Sequence, residues 1–141
     1  MTRIAFIGLG NMGGGMAARQ VVGGREVHAF DLSEAAIKKA VAAGAHAAGS
    51  VVKAVEGADA VITMLPAGPH VRKVYDEHII PHAPKSALLI DCSTIDVESA
   101  RAVAKQAKDA GFRFADAPVS GGEVGAKAAS PESNVFVVSG D

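Results

Sequence analysis

Three glycines near the start of the chain have the spacing needed to bind a phosphate-bearing ligand. Gly8, Gly10 and Gly13 follow the apolar run at 4–7, which predicts a buried strand, and precede a stretch rich in Ala and Met that predicts a helix. In such a turn the first glycine permits the tight bend, the second lets a pyrophosphate approach the backbone, and the third lets the helix pack on the strand. The free N–H groups and the positive dipole end of that helix would hold the phosphates.

An acidic residue follows at the distance that a dinucleotide site requires. Asp31 ends the next predicted strand, 26–30, about 20 residues beyond the glycines, where a carboxylate accepts both hydroxyls of the adenosine ribose. The same charge would repel a 2′-phosphate, and Leu32 follows in place of an arginine that could bind one. The stretch therefore predicts binding of NAD rather than NADP. The alternative is an ordinary strand, turn and helix in which Asp31 only caps the next helix.

Composition narrows the class of protein. The 141 residues carry a net charge of −1 and no basic run, which argues against nucleic acid as a partner. Cys92 is the single cysteine, so no disulfide framework is expected. No apolar run approaches about 18 residues, the N-terminus leads directly into a strand, and we expect a soluble, cytoplasmic protein without a membrane span. His78 and His82 have helical spacing, but Pro81 between them argues against a metal site.

Apolar runs and helical patterns alternate along the whole chain. The spacing predicts strands at 4–7, 26–30, 46–48, 58–64, 86–90, 112–115 and 135–139, with helices at 12–22, 34–43, 51–56, 69–77 and 97–110. Alternation of this kind predicts one α/β domain of Rossmann type, with a doubly wound and mostly parallel sheet. In such sheets the ligand lies beyond the carboxyl ends of the strands, where the strand order switches.

Polar, glycine-rich and proline-rich segments collect at those strand ends. Beyond the glycine turn and Asp31, they are Met64-Leu65-Pro66, Asp91-Cys92-Ser93-Thr94 and the segment 116–122. A single loop of this kind is unremarkable, because loops are generally polar. Five of them on one edge of the sheet favour a binding site there.

The motifs at these positions resemble those of the β-hydroxyacid dehydrogenases. Gly8-Leu9-Gly10-Asn11-Met12-Gly13, followed by Met16-Ala17, is similar to the opening signature of that family, and 64–66, 91–95 and 116–122 resemble its later signatures in the same order. The resemblance covers almost the whole chain. Within the family, it is nearest to the enzymes that oxidise 3-hydroxyisobutyrate in valine breakdown. It implies the N-terminal NAD-binding part of an oxidoreductase whose second domain is all-helical.

The resemblance also implies roles for individual residues. Those that would bind the cofactor are Gly8, Leu9, Gly10, Asn11, Met12, Gly13, Asp31, Leu65, Pro66, His70 and Thr94. Thr94 would lie near the nicotinamide ribose. Ser120, Gly121 and Gly122 would hold the carboxylate of a small hydroxy-acid substrate, which suits a hydroxyl beside exposed backbone amides.

The reaction implied is oxidation of a 3-hydroxy acid to a semialdehyde, with hydride passing to NAD. In the family a lysine on a helix well beyond the Ser-Gly-Gly loop is the general acid and base, and no lysine of this chain matches it; Lys127 is expected to be a surface charge. We assign no catalytic residue, and we expect the domain at 1–141 to be incomplete at its C-terminal end and inactive alone. The segment 128–134 departs from the family's shorter link.

Other interpretations stay open. One is a stand-alone NAD-binding module, or a pseudoenzyme without turnover. Another is a related semialdehyde reductase, such as tartronate semialdehyde reductase, which shares the loop pattern. The sequence does not decide whether the protein is a homo-oligomer.

Overall fold

A computed structural model describes residues 2–117, 119–120 and 135–136, with backbone alone for residue 11 and the last four. Its strands are β1 Arg3–Ile7, β2 Glu26–Phe30, β3 His46–Ala47, β4 Ala60–Thr63, β5 Leu88–Asp91, β6 Arg113–Asp116, β7 Val119–Ser120 and β8 Val135–Phe136. Its helices are α1 Asn11–Val22, α2 Glu34–Ala42, α3 Val51–Val55, α4 Gly68–Val74 and α5 Val97–Asp109. A π-helical turn, Tyr75–Ile79, continues α4.

The main sheet has six parallel strands in the order β3-β2-β1-β4-β5-β6. The chain runs outward from β1 through β2 to β3, then returns to the other side of β1 and continues through β4 to β6. The order therefore switches between β1 and β4, where a doubly wound sheet leaves a crevice for a ligand. The predicted Rossmann-type fold is confirmed.

Both faces of the sheet are covered by helices. Along β1, Ile4 and Phe6 pack into one apolar cluster with residues of α1 and α2, while Ala5 and Ile7 pack into the other with α3, α4 and α5. All four side chains are buried. An uninterrupted apolar run is what a central parallel strand needs, because neither of its faces meets water.

Side-chain caps set the start of three helices. The Ser33 hydroxyl accepts from the Ala36 amide at 3.3 Å, Ser50 accepts from the Lys53 amide at 3.1 Å, and the Asp96 carboxylate accepts from the Ser99 amide at 2.9 Å. Each cap contributes about 1 kcal/mol by satisfying an amide that has no partner within its helix. Ser and Asp favour the N-cap position, so the sequence predicts Ser33 and Asp96 as the caps of the helices at 34–43 and 97–110, and the structure confirms both.

Two helices differ from the sequence prediction. The spacing of Ala36, Ile37, Ala40 and Val41 predicts one apolar face for α2, yet Val41 is 45% exposed. It lies one residue beyond the buried Ala40, and therefore about 100° around the helix. The helix predicted at 69–77 is α-helical only to Val74; its last turn widens, with the Ile80 amide donating to the Tyr75 carbonyl at 3.0 Å.

The strand predicted at 135–139 does not extend the main sheet in the part of the chain that the structure describes. Val135–Phe136 instead pairs antiparallel with Val119–Ser120, which the sequence had placed in a loop. Strands of two residues show no alternation, so a sequence pattern gives little warning of them. Residues 137–139 lie outside the described part.

Within the described part of the chain, no helix is long and apolar enough to cross a membrane. The same residues contain no cluster of three or more His, Cys, Asp or Glu side chains that could hold a metal ion.

Candidate cofactor site

A groove of about 820 Å³ opens at the carboxyl ends of β1 and β4. Its walls are the glycine turn, the end of β2, the start of α3 and one side of α4 with its π-helical turn. The cofactor residues predicted from the sequence that line it are Gly8, Gly10, Met12, Gly13, Asp31, Leu65, Pro66 and His70. Its size is that of a pocket for a small molecule or cofactor, typically about 300–1,000 Å³.

Each glycine of the turn is under a different constraint. Gly8 has φ +100°, and a side chain on it would collide with the Met64 carbonyl oxygen. A side chain on Gly13 would collide with the Gly8 carbonyl oxygen, because α1 lies directly against the turn. A side chain on Gly10 would meet no atom within 4 Å. Two glycines are thus required by packing, and the third leaves open space on the groove side, which fits a pyrophosphate close to the backbone.

The N-terminus of α1 is also suited to an anion. Gly10 is its N-cap, no side chain caps the helix, and its first turn holds no acidic residue. The first amides of a helix have no partner within it, so here they remain available to phosphate oxygens. Gly10, Met12 and Gly13 bring this end of the helix into the groove wall.

Asp31 fastens the glycine turn to the loop after β2. One carboxylate oxygen accepts from the Leu9 amide at 2.7 Å, and the other accepts from the Ser33 amide at 2.8 Å. Asp31 does not cap α2, because Ser33 does so. A carboxylate offers about four acceptor positions, so capacity remains for ribose hydroxyls. Beside it, Leu32 is 92% exposed and lines the groove.

The other predicted site residues are placed differently. The Leu9 side chain is buried in the core, so only its backbone faces the turn. Asn11 begins α1. Thr94 is exposed in the loop after β5 and does not line the groove. Ser120 lies in β7, and the rest of the predicted substrate loop, Gly121 and Gly122, lies outside the described residues.

Part of the groove wall was missed by the sequence analysis. Val51 and Val52 of α3 contribute to it, and so do Lys73 and Val74 of α4 with His78 of the π-helical turn. His70, Lys73, Val74 and His78 are separated by intervals of one, three and four residues, which places them on one side of a helix. That spacing was visible in the sequence, but it resembles an ordinary helix face.

A buried polar network lies below the groove at the ends of β4 and β5. Asp91 is 1% exposed, and its Oδ1 accepts from the Thr63 hydroxyl at 2.8 Å and from the Ser93 amide at 3.2 Å. The Tyr75 hydroxyl lies 3.2 Å from that of Thr63 and donates to it, because the Thr63 proton is engaged by the carboxylate. Burial raises the pKa of Asp91 and raises that of Tyr75 further above its usual range. In Cys92, burial raises the thiol pKa to about 12, which suits a small core residue rather than a nucleophile.

Comparison with known proteins shows the family. The model for the NAD-binding domain of 6-phosphogluconate dehydrogenase matches residues 3–140. The chain belongs to this family of NAD-binding domains. NAD as the cofactor, predicted from the glycine spacing and Asp31, is confirmed at the level of the family.

The relatives are hydroxyacid dehydrogenases, as the motifs predicted. The chain is 48% identical to the 3-hydroxyisobutyrate dehydrogenase of Pseudomonas aeruginosa and 46% identical to the NAD-dependent L-serine dehydrogenase of the same organism, over 99% and 100% of its length. A solved 3-hydroxyisobutyrate dehydrogenase of Mycobacterium tuberculosis with L-serine superposes over the whole chain with a TM-score of 0.94 and 46% identity. The chain spans 47% of the length of each of these proteins, about half.

Proposed function

We propose that this chain is the NAD-binding part of an oxidoreductase that oxidises a small 3-hydroxy acid, with 3-hydroxyisobutyrate, oxidised to methylmalonate semialdehyde, as the first candidate. The observation that carries the proposal is the groove at the strand-order switch, where an uncapped helix N-terminus and the Asp31 carboxylate lie on one side. Relatives with 46–48% identity are named for this chemistry. We also propose that residues 1–141 form one dinucleotide-binding domain, which is incomplete at its C-terminal end.

The groove supplies binding and orientation for the cofactor. The amides at the start of α1 hold the pyrophosphate, and Asp31 accepts from the adenosine ribose while its charge disfavours a 2′-phosphate. Leu65, Pro66 and His70 also line the groove. Bound NAD would supply the acceptor for the hydride of the carbinol carbon; the hydroxyl proton would pass to a general base, a role that we assign to no residue of this chain. Thr94 is assigned to the nicotinamide ribose, and Ser120 with Gly121 and Gly122 to the substrate carboxylate.

L-serine is the second candidate substrate. One relative is named an L-serine dehydrogenase, and one solved relative is named together with L-serine. L-serine and 3-hydroxyisobutyrate share a carboxylate and a hydroxyl on carbon 3, and they differ at carbon 2, where an ammonium group replaces a methyl. A site for the carboxylate and hydroxyl would accept both, so discrimination requires a group beside carbon 2.

The test is the affinity of the purified chain for NAD and NADP, measured by calorimetry. We expect NAD to bind and NADP to bind at least tenfold more weakly. Asp31→Ala should weaken NAD by at least tenfold, because the ribose loses a charged hydrogen-bond acceptor. Asp109→Ala removes the same charge from the exposed end of α5 and should change nothing.

Three results would count against the proposal. Equal affinity for NAD and NADP in the folded chain would contradict the role of Asp31. If the chain shows an α/β fold by circular dichroism but binds neither NAD nor NADP, the resemblance to the dehydrogenases reflects common ancestry and not a shared function. Binding of NAD without an associated dehydrogenase activity in the complete protein would favour the stand-alone module.

A further inference from the structure

A side-chain hydrogen bond joins the two loops that we assign to the cofactor. The loop after β4, residues 64–67, contains Leu65 and Pro66, and the loop after β5, residues 92–96, contains Thr94. The Leu65 amide donates to the Ser93 hydroxyl at 2.7 Å, across 28 residues of sequence. Ser93 is 1% exposed, so its side of this bond is shielded from water, and the bond as a whole is partly buried.

The bond continues the pairing of β4 and β5 beyond the last strand residue. The Cys92 amide donates to the Thr63 carbonyl at 2.8 Å, which joins β5 to β4, whereas the Met64 amide donates to the Ile7 carbonyl at 2.9 Å, which joins β4 to β1. After these, Leu65 and Ser93 leave the strands, and a hydroxyl takes the place of the next backbone acceptor. Leu65 lines the groove, so this bond ties a residue of the groove wall to the loop after β5.

Ser93 is itself held in place from below. Its backbone amide donates to Asp91 Oδ1, and the same oxygen accepts from the Thr63 hydroxyl. The Thr63 hydroxyl in turn accepts a hydrogen bond from the Tyr75 hydroxyl. All four side chains are buried. Movement of the Ser93 backbone away from Leu65 would therefore disturb a chain of bonds anchored in β4, β5 and the π-helical turn, and a buried hydrogen-bond network resists such movement.

We propose that Ser93, oriented by Asp91, is a positioning residue that holds the loops 64–67 and 92–96 at the separation needed to bind the nicotinamide half of NAD. The proposal rests on the proposed function, which places Leu65, Pro66 and Thr94 against the cofactor. It adds a residue that contacts no part of the cofactor and acts through the Leu65 amide. The adenosine half, bound by the glycine turn and Asp31, is independent of it.

The test compares NAD with ADP, which carries the adenosine and both phosphates but lacks the nicotinamide riboside. In Ser93→Ala we expect the affinity for NAD to fall roughly tenfold, since the Leu65 amide loses its partner. The affinity for ADP should stay within about twofold of that of the unaltered chain. Ser86→Ala, an exposed serine just before β5, is the matched control and should change neither affinity.

Hydrogen exchange at the Leu65 amide gives a readout that needs no ligand. The amide should be protected in the unaltered chain and should exchange at least tenfold faster in Ser93→Ala, while the Cys92 amide keeps its protection. Asp91→Asn retains the shape and one carbonyl oxygen of the side chain, and it should cause a smaller loss of the same kind. If Ser93→Ala does not fold, Asp91→Asn takes its place in both measurements.

The outcomes separate this inference from the proposed function. Binding of NAD and ADP by the unaltered chain, with both affinities reduced equally in Ser93→Ala, would mean a general structural role and would overturn the positioning role. Unchanged NAD affinity together with fast exchange at Leu65 would overturn it as well. If the unaltered chain binds neither ligand, the proposed function fails, and the positioning role fails with it.

Discussion

Two glycines of the same turn are predicted to respond in opposite ways to a single methyl group. Gly13→Ala would place a side chain against the Gly8 carbonyl oxygen and push α1 away from β1, so we expect a loss of about 2 kcal/mol in unfolding free energy. Gly10→Ala would add its methyl group to open space at a φ of −59°, which alanine tolerates. We expect the stability to change by less than about 1 kcal/mol while the affinity for NAD falls at least tenfold.

Urea denaturation and calorimetry on the two variants check this pair. We expect Gly13→Ala to lose stability and Gly10→Ala to lose affinity for NAD. A Gly10→Ala variant that binds NAD normally would show that the pyrophosphate does not approach this backbone. A stable Gly13→Ala variant would show that α1 can shift without cost.

Asp91 is predicted to make the protein less stable as the pH rises. Burial raises its pKa above the ordinary value of 3.8, and the charge of Asp116 on the adjacent strand raises it further. The folded state therefore holds the proton more tightly than the unfolded state does. Between pH 3.8 and the raised value, the contribution of this carboxyl to stability falls with increasing pH, and it is constant above.

The measurement is the unfolding free energy as a function of pH for the unaltered chain and for Asp91→Asn, which has no proton to lose. The difference between the two curves should decline across that window. Asp96→Asn is the opposite control: hydrogen bonds from Ser99 lower the pKa of Asp96, so its contribution is lost as the pH falls. A flat difference for Asp91 would mean that its pKa is the same in both states.

How far the sequence predicts such residues depends on how local their contacts are. Gly8, Gly10 and Gly13 act within one turn, so their spacing carries the information. The Thr63 and Asp91 network joins residues 28 positions apart, and each lies at the end of an apolar run that gives no sign of a partner. Ser93 stands out in the sequence only as one member of a strand-end segment and family motif, because its bond to Leu65 exists only once β4 and β5 are adjacent.

At the scale of elements, the position of α4 depends on a close approach to the start of α5. A side chain on Gly68 would collide with the Ser99 hydroxyl and lie 2.5 Å from an Asp96 carboxylate oxygen. Arg72 of α4 donates to the same Ser99 hydroxyl at 2.9 Å. The absence of a side chain at Gly68 thus lets the two helix ends share one polar contact.

Gly68→Ala should therefore displace α4 and with it one wall of the groove. We expect a loss of about 2 kcal/mol in stability and a severalfold weaker affinity for NAD, because His70 and Val74 move with the helix. Gly49→Ala is the control, since its methyl group would meet only the Lys53 side chain at 4.0 Å. Thermal denaturation measures the stability of both variants, and calorimetry measures their affinity for NAD. Equal stability and affinity in the two variants would mean that α4 adapts locally to the added methyl group.

Helices whose ends are marked by local residues were predicted well. Elements that depend on contacts with residues distant in the sequence were not. The caps at Ser33 and Asp96 are local hydrogen bonds, so α2 and α5 begin where the sequence indicated. The widened turn after Val74 depends on packing of Tyr75 beneath Thr63 and against Phe114, which no window of the sequence contains. The pairing of β7 with β8 depends likewise on contacts between residues 15 or more apart.

At the scale of the whole molecule, cofactor binding and turnover are predicted to separate. The Rossmann-type fold, with a groove at its switch point, follows from the alternation of strands and helices, and we expect it to suffice for binding NAD. A saturating excess of NAD, about 100 times the dissociation constant, should stabilise the chain by about 2.7 kcal/mol. Turnover also needs a group that takes the proton of the alcohol, and general base catalysis contributes about 10²–10⁴-fold.

We expect the purified chain to show the thermal shift with NAD but no NADH formation from 3-hydroxyisobutyrate or L-serine, followed by absorbance. No lysine of this chain matches the general base of the dehydrogenases that it resembles. Among the described residues that line the groove, Lys73 is the one lysine, and it serves as the control. NADH formation by the chain that Lys73→Met abolishes, and that Lys53→Met leaves intact, would contradict the prediction and would place a general base on α4.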